Sequence, residues 1–228
     1  MNISNALPQG SVRGVFFMRR VIFFIDGFNL YHSTISIQNA TGLCLKWLNI
    51  DSLCRSYIPA LGKDVSLGAI NFFSAIPDYL SLSNPDKIIR HKLYIQCLEA
   101  SGVNVILGRF KEKEVYCNKC KSNLIKHEEK ETDVSIAIKI VEAFALNQCD
   151  IVAIITGDTD LTPVIRSVKK LFPGKEAIFI FPYDRENREI AKLLPKSFSI
   201  KKKSYIKHQF PNPFTLSNGK QISKPLTW

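Results

Sequence analysis

Five short apolar runs, separated by helix-like segments, constrain the fold of this chain more than any other feature. Each run is nearly continuous rather than alternating, which is typical of strands buried on both faces of a sheet. The runs are VIFFI (21–25), LGAINFF (67–73), VNVILG (103–108), IVAIIT (151–156) and AIFIF (177–181). Strands that alternate with helices predict βαβ units. We therefore expect an α/β three-layer sandwich around a central, mostly parallel sheet of five or six strands.

The segments between the runs carry recognisable helix signals. In NPDKIIRHKLYIQCLEASG, Asn84 is a good N-cap, Pro85 suits the first helical position and Gly102 follows the last. TDVSIAIKIVEAFALNQ predicts a buried helix capped by Thr132. TDLTPVIRSVKKLF and DRENREIAKLL predict two further helices.

The organisation of the chain predicts one domain over residues 18–200. Met18 begins just before the first run, so residues 1–17 are expected to be an N-terminal extension. Residues 111–131 interrupt the α/β rhythm as a polar, cysteine-bearing insertion. Residues 201–228 are basic and contain prolines, and we expect them to form an extended or wrapping tail rather than a second domain.

Acidic residues come at the ends of the predicted strands and at the start of one helix. Asp26 directly follows the first run, Asp158 and Asp160 follow the fourth, and Asp133 opens the buried helix. Ligands of parallel sheets bind beyond the carboxyl ends of the strands. If the first and fourth runs are neighbours, these carboxylates converge and require a counter-charge. The expected counter-charge is a hard divalent cation, Mg²⁺ or Mn²⁺.

Each of these aspartates also has an ordinary structural interpretation. Asp160 alone can cap the helix that follows it, and Asp133 alone can cap its own. The joint pattern favours the metal site, where one or two ions would activate water for attack on a phosphodiester. In that case Asn29 and Thr156 are expected to orient the ligands or the attacking water.

Three segments, in this order, resemble the NYN domain family, which is PIN-like and related to the LabA-like group of bacterial proteins. They are VIFFIDGFNLYHS, EEKETDVSIAIKIVEAF and IITGDTDLTPVIRSVKKLFPGKEAIFIFP. The resemblance covers roughly residues 18–210. It implies a Rossmann-like PIN-type fold with a metal-dependent nuclease site that usually acts on RNA, and it implies that the chain can pair as a homodimer.

The resemblance also assigns individual residues. Asp26 matches the aspartate of the first strand and Asn29 the asparagine after it, while Asp133 matches the aspartate of the K-x-x-D helix start. Asp158 and Asp160 match the two aspartates of the G-D-[ST]-D motif. The family thus implies that these five residues are catalytic and that the four aspartates bind metal.

The charge of the chain favours a polyanionic partner. Lys and Arg number 31 against 20 Asp and Glu, which gives a net charge of +11. Five basic residues are expected to flank the acidic cleft and hold phosphates: Arg166, Lys169, Lys170, Arg185 and Arg188. In the tail, Tyr205, His208 and Phe210 are expected to stack on unpaired bases.

The cysteine-bearing insertion allows two interpretations. CNKCKSNLIKHEEK places Cys117, Cys120 and His127 at a spacing that resembles a zinc site, which then needs a fourth ligand such as Glu128. A reduced, metal-free hairpin is the alternative.

The 6 cysteines do not suggest a secreted disulfide framework, and no apolar run approaches the ~20 residues that span a bilayer. We expect a cytoplasmic protein with no membrane partner.

The function predicted from these features is metal-dependent, endonucleolytic hydrolysis of RNA, single-stranded or structured. A regulatory protein that binds nucleic acid through a catalytically silent PIN-like site is the alternative. A phosphatase is disfavoured because IDGFN lacks a D-x-D pair. A dinucleotide-dependent dehydrogenase is disfavoured because no G-x-G-x-x-G follows any run.

Overall fold

A seven-stranded sheet forms the centre of the protein in the computed structural model, which describes residues 18–119, 121–226 and 228. In chain order the strands are β1 (Arg19–Asp26), β2 (Val65–Ala75), β3 (Asn104–Cys117), β4 (Ser122–Lys130), β5 (Ile151–Ile155), β6 (Glu176–Phe181) and β7 (Phe198–Ser199). Their spatial order is β4-β3-β2-β1-β5-β6-β7, and every pair is parallel except β3 with β4. The predicted α/β class is confirmed. The sheet exceeds the expected five or six strands because β4 is polar and β7 is very short, so neither appears as an apolar run.

Helices cover both faces of this sheet. They are α1 (Gly27–Thr41), α2 (Ile50–Leu61), α3 (Pro85–Ala100), α4 (Thr132–Ala145), α5 (Thr162–Leu171), α6 (Arg188–Leu193) and α7 (Lys202–Lys207). Helices α1, α2, α3 and α7 contribute to the core on one face, and α4, α5 and α6 contribute to the core on the other. None of the helices in the described part of the chain has the length and apolar character needed to cross a bilayer.

Strand β1 illustrates why the apolar runs are continuous. Val21, Phe23 and Ile25 pack into the core beneath α1, whereas Ile22 and Phe24 pack into the core beneath α4. Successive side chains of a strand point to opposite faces, so a strand covered on both sides needs apolar residues at every position. The interpretation of the runs as doubly buried strands is therefore confirmed for the centre of the sheet.

The order of the strands creates a switch point between β1 and β5. From β1 the chain continues to β2 and β3 on one side, and from β5 it continues to β6 on the other. Ile25 is paired with Ile155, so the two strands end side by side. The conditional expectation that the first and fourth runs are neighbours is confirmed. In sheets of this kind, the crevice at the switch point is the usual ligand site.

The starts of two helices test the predicted caps. At α3, the side chain of Asn84 accepts a hydrogen bond from the Lys87 amide at 3.2 Å, as expected of an N-cap. At α4 the expectation was wrong, because Thr132 is the first helical residue rather than the cap. Glu131 precedes it with a φ of 82°, a left-handed conformation that turns the chain sharply from β4 into the helix.

The predicted insertion at 111–131 is mainly a β-hairpin. Strand β3 runs past its parallel partner and pairs antiparallel with β4 from Arg109 opposite Lys130 to Cys117 opposite Ser122. The hairpin therefore extends one edge of the sheet rather than forming a separate unit. Its return strand leads directly into α4, so the hairpin also fixes the position of Asp133 in the first turn of that helix.

The tail wraps onto the domain, with α7 followed by a small antiparallel pair, β8 (Phe214–Thr215) and β9 (Gln221–Ile222). Tyr205, His208 and Phe210 are buried. The Tyr205 hydroxyl is hydrogen-bonded to Ser33 of α1 at 2.8 Å. The expectation that these three rings stack on bases was therefore wrong, because they fill the core. The boundaries at residues 18 and 200 stay predictions, and the predicted extension 1–17 lies outside the described residues.

Candidate functional site

Asp26 is the last residue of β1 and the N-cap of α1, and its carboxylate is fixed at both oxygens. Oδ1 accepts a hydrogen bond from the Asn29 amide at 3.0 Å, and Oδ2 accepts one from the Thr156 hydroxyl at 2.9 Å. The residue is only 6% exposed. The end of the strand and the first turn of the helix thus hold one carboxylate rigidly at the switch point.

Asp158 is tied to the same point through the loop after β5. The Thr156 hydroxyl that donates to Asp26 also accepts the Asp158 amide at 3.1 Å. Asn29 Oδ1 accepts the Gly157 amide at 3.1 Å, which gives a second link between the ends of β1 and β5. The expectation that Asn29 and Thr156 orient the site agrees with these contacts, since both side chains hold the two aspartate-bearing segments together.

Asp133 completes a cluster from the first turn of α4. Asp26, Asp133 and Asp158 each offer a carboxylate oxygen, and these three atoms lie within 4.8 Å of one another. Asp160 is outside this group. Its side chain is exposed, and its amide donates to Asp158 Oδ1 at 3.0 Å. Its expected role as the cap of the next helix is not seen either, because Leu161 precedes α5.

Burial and neighbouring carboxylates raise the pKa of Asp26 and of Asp133. Burial raises the pKa of Asp26, and the charge of Asp158 raises it further. Burial, followed by the charges of Asp26 and Asp158, raises the pKa of Asp133 to about 6. A cation placed among these carboxylates would supply the counter-charge that they lack.

The donor set fits a hard divalent cation. Carboxylate oxygens are the ligands that Mg²⁺ and Mn²⁺ prefer, and Mg²⁺ holds its ligands at about 2.0–2.1 Å. Two oxygens on opposite sides of such an ion are therefore about 4 Å apart. The three carboxylate oxygens lie within 4.8 Å of one another, so they would need to move closer by less than about 1 Å to reach this spacing. Asp26, Asp133 and Asp158 would hold the ion.

Replacing Asp133 with asparagine is expected to stabilise the metal-free protein at neutral pH. The folded-state pKa of Asp133 is raised above 3.8, so its contribution to stability is present at low pH and is lost as the pH rises through about 6. Asparagine does not ionise and escapes this loss. After allowance for partial solvent screening, the gain is about 1–2 kcal/mol. Urea unfolding of both proteins in the presence of a chelator, at a pH below about 3.8 and at a pH above about 6, measures this gain in stability.

The same pair of proteins separates metal binding from general stability. Mn²⁺ should raise the unfolding temperature of the native chain at neutral pH and leave that of Asp133→Asn nearly unchanged, because the variant lacks one of three anionic ligands. An asparagine variant that is less stable than the native chain in chelator would contradict the electrostatic account of this cluster.

Among the predicted basic residues, Arg185 contacts the loop that carries Asp158. Its backbone carbonyl is packed so closely on Gly157 that a Cβ there would lie 2.1 Å from the carbonyl oxygen. Arg166 pairs with Glu189 at 3.3 Å, and Lys169 donates to the carbonyl of Leu193, so both bind the region of α6. Lys170 and Arg188 are exposed on α5 and α6. Lys169 and Lys170 lie in the last turn of α5, whereas the switch point is at the start of this helix, so these two residues do not flank the acidic cluster as expected.

The two predicted zinc ligands that the structure describes, Cys117 and His127, are not brought together. His127 is opposite Glu112 in the hairpin, whereas Cys117 is opposite Ser122, so they are separated by five positions, or about 17 Å, along the strands. His127 instead stacks on Tyr79 with ring centroids 3.8 Å apart. Cys120 lies outside the described residues. Glu128, the suggested fourth ligand, pairs with Lys113 and Lys130 at 2.9 Å.

One residue of the site was missed in the sequence. Glu129 Oε1 accepts the backbone amide of Thr132 at 3.1 Å and also accepts its hydroxyl proton, so Glu129 anchors the start of α4. Its negative charge also contributes to the raised pKa of Asp133. The sequence carried a signal for this role, because Glu129 is a carboxylate three residues before the start of the helix, but the prediction of Thr132 as the cap left Glu129 without a role.

Comparison with known proteins agrees with this arrangement. The family model described as NYN domain matches residues 20–194. No curated protein matches the chain at a significant level. The fold is similar to the crystal structure of a protein of unknown function from Vibrio parahaemolyticus RIMD 2210633, with a TM-score of 0.54 and 12% sequence identity over 82% of this chain and 95% of that one. The family match spans most of the chain and includes the whole acidic cluster, so the chain belongs to the NYN domain family.

Proposed function

We propose that this protein is a metal-dependent endoribonuclease. The observation that carries the proposal is the convergence of Asp26, Asp133 and Asp158 at the switch point of a PIN-like sheet. Family membership supports it, because NYN domains are typically nucleases. The net charge of +11 supports a polyanionic substrate, and the basic side chains near α5 and α6 offer contacts for phosphates.

The chain's own residues would hold the cation and keep the site ordered during the reaction. Water forms a new bond to phosphorus, the bond from phosphorus to the 3′-oxygen breaks, and the products are a 5′-phosphate and a 3′-hydroxyl. The proton that the water loses passes to solvent, because Asp133 would hold the cation together with Asp26 and Asp158. Asp26 and Asp158 are held by Thr156 and Asn29 and keep the site ordered. A bound divalent cation supplies positive charge that stabilises the phosphoryl oxygens.

The test is cleavage of an end-labelled RNA with Mg²⁺, with Mn²⁺ and with a chelator. Cleavage at internal positions that requires a divalent cation is the expected result. Exonucleolytic trimming would contradict the endonucleolytic assignment. Cleavage that persists unchanged in the chelator would contradict the role of the metal.

A silent site that only binds nucleic acid is the second candidate, and the observation that favours it is the net charge of +11, which supports binding of a polyanion whether or not the site is catalytic. Calorimetric titration with Mn²⁺ distinguishes the two functions. Saturable binding that is lost in Asp133→Asn supports the nuclease, whereas salt-dependent RNA binding without metal binding supports the silent protein.

The cellular compartment and the oligomeric state of the protein are also proposals. Cys44, Cys54, Cys97 and Cys149 are free thiols, as expected of a protein that works in a reducing cytoplasm. A homodimer follows from the family resemblance, and sedimentation of the purified chain measures it.

A further inference from the structure

A pocket of about 350 Å³ lies next to the acidic cluster, on the face of the sheet that α1 and α3 cover. It is bounded by α1, α3 and the ends of β2 and β3. Gly27 and Phe28, the two residues that follow Asp26, form part of its wall, so the pocket begins one residue away from the cluster. Its volume falls within the range of pockets that bind small molecules, which is about 300–1,000 Å³.

Aromatic side chains form a large part of the walls of this pocket. The aromatic wall comprises Phe28, Tyr31, Phe72, Tyr79, Tyr94, Phe110 and Trp228. Phe28 and Phe110 meet edge to face with ring centroids 5.9 Å apart, and both are only partly buried. A planar heterocycle that enters the pocket can therefore stack on rings that are already held in place, which reduces the conformational entropy lost on binding.

The polar groups of the pocket are basic or neutral. Lys46, Lys87 and Arg90 contribute positive charge, and no acidic residue lies among the described residues that line the pocket. Inside, Ser74 and His91 share a hydrogen bond at 3.3 Å. Burial lowers the pKa of His91, and the charge of Lys87 lowers it further, so the imidazole is neutral at pH 7. A neutral serine–histidine pair can both donate and accept hydrogen bonds.

Aromatic walls, cationic groups and a neutral hydrogen-bonding pair together match the chemistry of a nucleotide. We propose that the pocket binds one unpaired nucleotide of the RNA strand, with its base against the aromatic wall and its phosphates facing the lysines, beside the phosphodiester that the acidic cluster cleaves. This inference rests on the proposed ribonuclease function and adds a preference for single-stranded RNA. A base within a duplex has its faces and pairing edge occupied and does not fit.

The first experiment replaces one aromatic residue of the pocket. Phe110→Ala should weaken binding of a short, unstructured, fluorescent RNA by about ten-fold, as expected for the loss of one stacking partner. The measurement is fluorescence anisotropy in a chelator, so that no cleavage takes place. Tyr116→Ala is the matched control, because Tyr116 lies on the same strand, is 58% exposed and does not line the pocket. Equal RNA affinities of the two variants would overturn the proposal.

A second pair of variants tests the cationic side. Lys87→Ala should lower the affinity for the same RNA and flatten its dependence on salt concentration, since one phosphate contact is lost. Lys92→Ala on the same helix should not, because Lys92 is exposed and outside the pocket. An RNA duplex should bind both variants equally well. A loss of duplex binding that matches the loss of single-strand binding would contradict the assignment of an unpaired nucleotide.

Adenosine 5′-monophosphate serves as the smallest probe. The two tryptophans of the chain, Trp47 and Trp228, have ring centroids 5.8 Å apart, and Trp228 lines the pocket. Saturable quenching of their fluorescence that weakens in Phe110→Ala supports the proposal. Quenching that is the same in both proteins would place the nucleotide elsewhere and overturn it.

These experiments test the pocket assignment separately from the proposed catalysis. If Phe110→Ala binds RNA as tightly as the native chain while cleavage still requires Asp26, the pocket assignment fails and the nuclease stands. If Phe110→Ala loses affinity in the chelator but no metal condition produces cleavage, the pocket stands and the nuclease fails.

Discussion

Replacing Asp26 with asparagine is expected to lower the rate of RNA cleavage by at least about 100-fold. A cation at this site is expected to contribute several kcal/mol of charge stabilisation, and each ~1.4 kcal/mol corresponds to a factor of ten in rate. Asparagine removes one anionic ligand from a group of three whose oxygens lie within 4.8 Å of one another. The loss should appear in single-turnover cleavage of labelled RNA with saturating Mn²⁺.

The fold should tolerate this substitution, which makes the result interpretable. Asparagine is nearly isosteric with aspartate, and its oxygen can still accept the Asn29 amide. Its amide group can donate to the Thr156 hydroxyl, which already accepts the Asp158 amide and has a second lone pair. Removing a buried charge whose pKa is raised by burial also relieves a desolvation cost. The unfolding temperature of the metal-free protein should therefore be unchanged or higher.

Asp158→Asn provides the parallel test from the other strand, and Asp160→Asn is the contrast. Asp160 is exposed and outside the group of three carboxylates, so its substitution should reduce cleavage far less. Unchanged cleavage in Asp26→Asn and Asp158→Asn would mean that a contaminating nuclease causes the activity, and the site assignment would then be withdrawn.

Gly157→Ala is expected to be strongly destabilising and to lower the proposed cleavage activity. A Cβ at this position would lie 2.1 Å from the carbonyl oxygen of Arg185, which is backbone and does not rotate away. The loop after β5 or the loop after β6 must therefore move. Forced repacking of this kind costs about 1–3 kcal/mol. Because Asp158 is the next residue, a shift of about 1 Å should also lower cleavage by about 100-fold.

Urea unfolding and cleavage assays on the same preparation measure both effects of Gly157→Ala. Gly68→Ala is the control, since an added Cβ there would lie 3.2 Å from the carbonyl oxygen of Val21 and requires an adjustment of only a few tenths of an ångström. A Gly157→Ala protein as stable and as active as the control would mean that the two loops are not packed together in solution.

The apolar pattern was sufficient to predict the layers of the fold. From Val21 to the end of β1 and throughout β5 every residue is buried, so the local sequence alone carries the signal of a doubly covered strand. The N-cap at Asn84 was also predictable, because a cap depends on residues within one turn. The polar strand β4 was not predictable, since its stability comes from pairing with β3 rather than from its own composition.

The sequence by itself determined that carboxylates come at strand ends, and the tertiary structure decided which of them meet. Strand order brought Asp26 and Asp158 side by side and the β3–β4 hairpin brought in Asp133, whereas Asp160 stayed outside. The register of that hairpin likewise separated His127 from Cys117. Periodicity, caps and strand ends are read within a few residues, but the distance between groups far apart in the chain depends on topology and register. Those depend on how the whole core packs.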